Sequence, residues 1–204
     1  MRVVIIGGGS CETDFEFKDS DYVICADHGY DHALKYEIVP DLLIGDMDSV
    51  IADADSFPDK LVLPVRKDFT DSETAVRYAM DMHPDEIVLL GFTGTRMDHT
   101  LGNIFLLKLL DEKNIPAYID DGNNRIYYFS GKFTVENMVG YTVSLIPVSE
   151  AVCGITTFGL DYPLDGENLY FGETRGISNV ITENHAGYTA ESGSAIVIIT
   201  RSDV

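Results

Sequence analysis

Apolar residues recur along this chain in two different rhythms. Over roughly the first 120 residues, short apolar runs each break off at glycine or aspartate. Arg2 to Ile6 runs into Gly7-Gly8-Gly9, Tyr22 to Ala26 into Asp27, Leu42 to Ile44 into Gly45, and Glu86 to Leu90 into Gly91, with a shorter run at Leu61 to Leu63. Runs of this length bounded by turn residues predict buried strands. Helical patterns lie between them. "HGYDHALKY" predicts a short helix. "TDSETAVRYAMD" predicts another, with Thr70 as its cap and Glu73 completing a capping box three residues on. After "GFTGTRMDH" a longer helix carries Leu101, Ile104, Phe105, Lys108 and Leu109, apolar mainly on one face. Ala117 to Ile119 ends the series as a further strand. This alternation predicts a Rossmann-like α/β domain, a mostly parallel sheet with helices on its faces.

Beyond Asp121 the rhythm changes. "RIYYFSGKFTV" reads as two strands joined at Ser130-Gly131, and "YTVSLIPV", "AVCGITTF", "GYTAE" and "SAIVIIT" continue as short β-rich runs. No amphipathic helix interrupts them, so the pattern predicts a small antiparallel β-sandwich. The polar, turn-forming "DDGNNR" at Asp120 to Arg125 marks the boundary. The fold class is thus α/β then all-β, with domains at 1–122 and 123–204.

Open parallel sheets bind ligands at the carboxyl ends of their strands, and this chain places glycines and carboxylates there. Gly7-Gly8-Gly9 fits either phosphate contact through backbone N–H groups or a tight turn. Asp27 fits a metal or ribose contact or a helix N-cap. Asp46 and Asp48, one residue apart, form either a solvated turn or a pair held by a cation, since adjacent carboxylates repel. "KDFTD" repeats the arrangement with Asp68 and Asp71, although an acid in a helix's first turn also complements the dipole. In "GTRMDH", Arg96 and Asp98 form either a surface ion pair or a phosphate-stabilising arginine beside a catalytic acid. His99 and Asn103 are four residues apart and share a helix face.

Charge and composition narrow the chemistry. Fourteen basic residues against 34 acidic ones leave a net charge of −20. Such a chain repels nucleic acid and anionic membranes, yet accepts an anionic substrate through a divalent cation. Three cysteines, Cys11, Cys25 and Cys153, lack CxxC spacing and read as reduced thiols of a cytoplasmic protein. The first apolar run is too short for a signal peptide, and none is long enough to span a bilayer. Hard oxygen ligands without clustered Cys or His favour magnesium over zinc, and GxxxxGK[ST] is absent. Metal-assisted transfer of a phosphate-containing group is the class these residues point to, with the acceptor left open.

"ADHGYDHAL", "PDLLIGDMDSV", "KDFTDSETAV", "GFTGTRMDHTLGNIFLL", "GLDYPL" and "GISN" occur in that order, and together they resemble thiamine pyrophosphokinase over almost the whole chain. The resemblance implies an α/β nucleotide-binding domain followed by a β-sandwich, a homodimer, and magnesium-dependent transfer of the pyrophosphoryl group of ATP to the thiamine hydroxyl, releasing AMP. It implies Asp46, Asp48, Asp71 and Asp98 as catalytic, with metal held by Asp46, Asp48, Asp68 and Asp71. ATP falls to Gly8, Gly9, Asp27, Arg96, His99 and Asn103. Thiamine falls to Ser178 and Asn179, across the subunit interface. Two positions depart from the family pattern: His28 stands where glycine is usual, and Val180 follows Asn179 where glutamate is frequent. A pyrophosphokinase acting on a pterin alcohol and a non-catalytic sensor of nucleotide or thiamine are the alternatives.

Overall fold

The computed structural model describes residues 1–12, 14–46, 57, 59–64 and 68–201. The chain divides into two compact units, Met1–Gly122 and Asn123–Val204. In the first unit, strands β1 (Arg2–Ile6), β2 (Tyr22–Ala26), β3 (Leu42–Gly45), β4 (Lys60–Val62), β5 (Glu86–Leu90) and β6 (Ala117–Asp120) alternate with helices α1 (Gly29–Lys35), α2 (Asp71–Asp81) and α3 (Met97–Asp111). The strands pair in parallel in the order β6-β5-β1-β2-β3-β4. From β1 the chain winds outward to β4, then returns through α2 to lay β5 and β6 on the other side of β1. The order reverses between β1 and β5, and that is where an open parallel sheet leaves a crevice.

Both faces of this sheet are covered, which explains its near-continuous apolar strands. Val4, Ile6, Val23, Cys25, Leu43, Val88 and Leu90 form one buried cluster with Tyr30 and Ala33 of α1. The alternate residues Ile5, Ile24, Ile44 and Leu89 are equally buried, as a period of two requires. Helix α2 contributes Ala75, Val76 and Ala79. Its cap is half of the expected box: the Thr70 hydroxyl accepts from the Glu73 N–H at 3.1 Å, while the Glu73 carboxylate turns outward to Arg77.

Helix α3 departs from the expected phase. Leu101, Phe105 and Lys108 lie on its exposed side, whereas Leu106, Leu107 and Leu110 are buried. Apolar residues surround this helix, so periodicity could not choose the packed face. β4 begins and ends one residue before the expected run.

The second unit is all β: β7 (Asn124–Glu136), β8 (Thr142–Pro147), β9 (Ala151–Phe158), β10 (Glu167–Tyr170), β11 (Asn179–Val180) and β12 (His185–Thr200). All its pairings are antiparallel. The expected break at Ser130-Gly131 is absent, because β7 is one continuous strand. Likewise "GYTAE" and "SAIVIIT" belong to a single β12. Both strands bend together instead: the register shifts between Thr189 and Ser194 opposite Gly131, whose φ is 79°. The first half of β12 pairs with β9 and the second with β8. The bend lets one long strand serve both, with Phe129, Leu145, Val152, Ile155, Tyr188 and Val197 in a common core.

A set of contacts around Arg2 fastens the first connection to the sheet. Arg2 at the start of β1 donates Nε–H and Nη2–H to Asp21 at 2.9 and 2.6 Å, donates to the Glu16 carbonyl, and lies over the Phe15 ring. Lys18 N–H also donates to Asp21, whose side chain is 1 % exposed. Burial raises the Asp21 carboxyl's pKa, but the Arg2 and Lys18 hydrogen bonds and the Arg2 charge outweigh it and hold the group below the usual range. A depressed folded pKa contributes stability that is present above the unfolded value and lost as pH falls through the folded one. Asp21→Asn is expected to cost about 1–3 kcal/mol at pH 7. The difference from the parent should shrink once pH drops below about 4, as read by urea denaturation across pH.

Candidate active site

The crevice at the reversal point has a volume of about 510 Å³ and is lined from five directions: the turn after β1, the turn after β2, the loop after β5, and the first turns of α2 and α3. Backbone packs on backbone at its floor. Gly9 N–H donates to the Gly91 carbonyl at 2.8 Å and Ser10 N–H to the Thr93 carbonyl at 2.7 Å. A Cβ on Gly9 would lie 2.2 Å from the Thr93 oxygen, and one on Gly91 (φ 68°) 2.4 Å from the Gly7 oxygen. The glycines therefore serve first to bring two loops together. With the Gly9 and Ser10 N–H groups engaged in that packing, Gly8 is the exposed member of the turn.

Asp27 occupies the left-handed region at φ 49°, where Asp is among the few tolerated side chains. Its N–H donates to the Ile44 carbonyl at 2.8 Å, and a Cβ on Gly45 would lie 3.2 Å from its Cα. The turn after β2 thus sits directly against the residue preceding Asp46. Asp27 and Asp71 line the crevice, with Gly8, Gly9, Arg96, His99 and Asn103. Asp46 is half-buried beside this wall, Asp68 is exposed just before α2, and neither is among the lining residues. Asp48 lies outside the described residues. Among the described residues, no group of three or more His, Cys, Asp or Glu is close enough to hold a metal ion.

Arg96 and Asp98 take the ion-pair arrangement. The guanidinium donates to both carboxylate oxygens, at 3.3 and 2.7 Å, from an exposed position. The Arg96 hydrogen bonds, with help from the His99 N–H, hold the Asp98 carboxyl down to about 2. Asn103 donates its amide to the Phe92 carbonyl at 2.9 Å, and the Thr100 hydroxyl bonds both the N–H and the carbonyl of Gly94. Both residues pin the loop after β5.

His32 escaped notice in the sequence because it reads as an ordinary helix position. Its Nε2–H donates to the Gly9 carbonyl at 2.8 Å, tying α1 to the glycine turn. Burial pulls its pKa below the ordinary value against the opposing effect of the Gly9 carbonyl, so the ring is neutral near pH 7. Burial pushes the Cys11 thiol up to about 11 and Cys25 up further, so both behave as packed, unreactive groups.

In the second unit, a cavity of about 450 Å³ is lined by Ser178 and Asn179 among others. The Asn179 carbonyl oxygen accepts from the N–H groups of Tyr162 and Val180, and its amide donates to the Tyr162 carbonyl at 2.8 Å. Asn179 therefore fastens the "GLDYPL" loop to β11. Ser178 is exposed beside it, held at φ 60° by its N–H bond to the Ser144 hydroxyl.

The family profile described as "Thiamin pyrophosphokinase, catalytic domain" matches residues 14–119, and "Thiamin pyrophosphokinase, vitamin B1 binding domain" matches residues 132–197. The thiamine pyrophosphokinase of Bacillus subtilis (strain 168) is 32% identical over 182 residues, covering 86% of this chain and 85% of the relative. The chain belongs to the thiamine pyrophosphokinase family. A crystal structure of the thiamine pyrophosphokinase from Bacillus subtilis matches with a TM-score of 0.91 at 29% identity, covering 100% of both chains. That from Geobacillus thermodenitrificans matches at 0.89 and 31%, covering 100% of this chain and 99% of the other. The fold is that of thiamine pyrophosphokinases, and the activity is that transferase activity.

The departure at His28 has a structural explanation within the thiamine pyrophosphokinase fold. Position 28 has φ −56° and ψ −12°, which any L-residue adopts, and its ring bonds Asp31 at 3.0 Å. The residue that requires glycine is Gly29, where a Cβ would lie 1.9 Å from the Ile6 carbonyl oxygen. Gly29→Ala is expected to destabilise the chain by about 3 kcal/mol or more. His28→Gly should stay within about 1 kcal/mol, with both read by urea denaturation.

Proposed function

We propose that the chain transfers the pyrophosphoryl group of ATP to the hydroxyl of thiamine, giving thiamine diphosphate and AMP with magnesium. The observation that carries this reading is the crevice between β1 and β5, where a close-packed glycine floor meets acidic side chains and an arginine. Nucleotide phosphates meet Gly8 and the first turns of α2 and α3, whose N-terminal dipole ends favour anions. Arg96, already extended at the surface, exchanges its bond to Asp98 for phosphate oxygens. Asn103, Thr100 and His32 keep the flanking loops in place, so positioning and charge neutralisation account for most of the rate.

The donor set fits magnesium. Asp27 and the residue before Asp46 pack together at paired strand ends, and carboxylates with no soft ligand suit a hard cation. Magnesium is usually held by one or two carboxylates plus substrate phosphates, so it does not require a large cluster of protein ligands. Asp46, Asp48, Asp68 and Asp71 are the proposed holders. When bound, the ion neutralises charge on the phosphates.

The reading also includes a homodimer with thiamine received at the subunit interface, where Ser178 presents its hydroxyl. Met97, Leu101 and Phe105, exposed along one face of α3, supply apolar surface for such an assembly. The three free cysteines support a reducing compartment such as the cytoplasm. Among the described residues, no helix is long and apolar enough to cross a membrane.

Asp46→Asn, Asp48→Asn and Asp71→Asn are each expected to lower kcat by more than about a hundredfold, with unchanged circular dichroism. Near-parent turnover in all three removes the assignment. Chelation should abolish AMP release in step with thiamine diphosphate formation, and added magnesium should restore both.

A further inference from the structure

The turn after β1 combines two demands that oppose each other. Packing requires glycine there: a Cβ on Gly7 would lie 2.8 Å from the Gly91 oxygen, and one on Gly9 2.2 Å from the Thr93 oxygen. Yet glycine leaves the main chain free to adopt conformations closed to other residues, so Gly7-Gly8-Gly9 can turn its peptide planes unless its neighbours hold them. β5 and the loop after it hold one side. The N–H groups of Gly7, Gly9 and Ser10 donate to the carbonyls of Leu90, Gly91 and Thr93 at 2.7, 2.8 and 2.7 Å. Gly8 is exposed, and among the described residues no main-chain carbonyl accepts from its N–H.

Helix α1 holds the other side. His28, its N-cap, and His32 stand four residues apart and therefore on one face, their rings meeting edge-on with centroids 5.8 Å apart. A Cβ on Gly8 would lie 2.8 Å from the His28 Cβ, so the start of α1 packs directly on the turn. His32 reaches further along it and donates Nε2–H to the Gly9 carbonyl at 2.8 Å. That carbonyl and the Ser10 N–H belong to the same planar peptide unit. One edge of this plane is therefore fastened to α1 and the other to the Thr93 carbonyl. Turning the plane breaks both bonds. His32 itself is half-buried and lines the crevice beside Gly8 and Gly9.

We propose that His32 is a positioning residue for the nucleotide: its grip on the Gly9 carbonyl keeps the glycine turn in the arrangement that presents the Gly8 N–H to the triphosphate of ATP. The inference rests on the reading of this crevice as the nucleotide site. A donor already aimed at an anion loses little free energy to reorganisation when the anion arrives, whereas a loose glycine turn must be ordered at that moment. The role belongs to one atom. A glutamine amide nitrogen stands about as far from the main chain as Nε2 and can make the same bond. An asparagine amide reaches only as far as Nδ1 and cannot.

In the full chain with magnesium, His32→Leu should weaken binding of an ATP analogue carrying a methylene bridge between its α and β phosphates about five- to tenfold by calorimetry. The ATP KM should rise by the same factor, with the thiamine KM and the kcat at saturating ATP within about twofold of the parent. His32→Gln should return the analogue's Kd and the ATP KM to within about twofold of the parent, and His32→Asn should behave as His32→Leu does. If His32→Leu fails to fold, the glutamine and asparagine variants decide by the same readings. An analogue Kd unchanged in His32→Leu or His32→Asn overturns the proposal while leaving the enzymatic reading intact. So does equal weakening in His32→Gln, or a thiamine KM that rises in step with the ATP KM. Failure of the unsubstituted chain to bind the analogue or to turn over ATP overturns the reading of the crevice as well.

Discussion

The crevice depends on how closely main chain can approach main chain at the ends of the central strands. Gly7, Gly9 and Gly91 let the turns after β1 and β5 share hydrogen bonds directly, and Gly29 lets α1 start against the backbone of β1. A single Cβ at Gly9, Gly29 or Gly91 would stand inside the contact distance of a carbonyl oxygen. Glycine raises the conformational entropy lost on folding, and four close together is a local cost that packing elsewhere offsets. What the arrangement yields is a rigid floor, above which the side chains of three other elements project.

In each unit taken by itself, the polar side chains at the candidate site divide into those that hold the protein and those that face outward. His32, Thr100, Asn103 and Asn179 each bond backbone groups of a neighbouring loop. Arg96, Asp98 and Ser178 are exposed. The first group fixes the geometry of the second. Catalysis by charge stabilisation needs this order, because donors aimed in advance lose little energy to reorganisation during the reaction. Asn103 and Asn179 each hold a loop beside the cavity they line.

The β unit solves a different problem. Its two long strands bend at a shared irregularity so that one chain segment can pair with β9 at one end and β8 at the other. Beside the core, the loop fastened by Asn179 forms one wall of a cavity with Leu145 and Leu169. A net charge of −20 gives the whole chain a field that attracts a cationic substrate such as thiamine, over distances limited by salt screening.

The order of strands and helices in the first unit, the β-rich second unit, and the strand-end positions of Gly9, Asp27, Asp71 and Arg96 were all legible in the sequence. Each is written in local patterns: apolar run length, turn residues and capping signals act over a few positions. The phase of α3, the continuity of β7 and β12, and the role of His32 were not legible. Each depends on a partner many residues away: α3 is apolar on several sides until the sheet selects one. Ser130-Gly131 reads as a turn until β12, pairing on both sides of it, carries the strand through as a bend. His32 is an unremarked helix residue until Gly9 is brought beside it. Whether a polar side chain holds a loop or meets a ligand is decided by which hydrogen bonds the folded chain has already satisfied, and only the tertiary structure settles that.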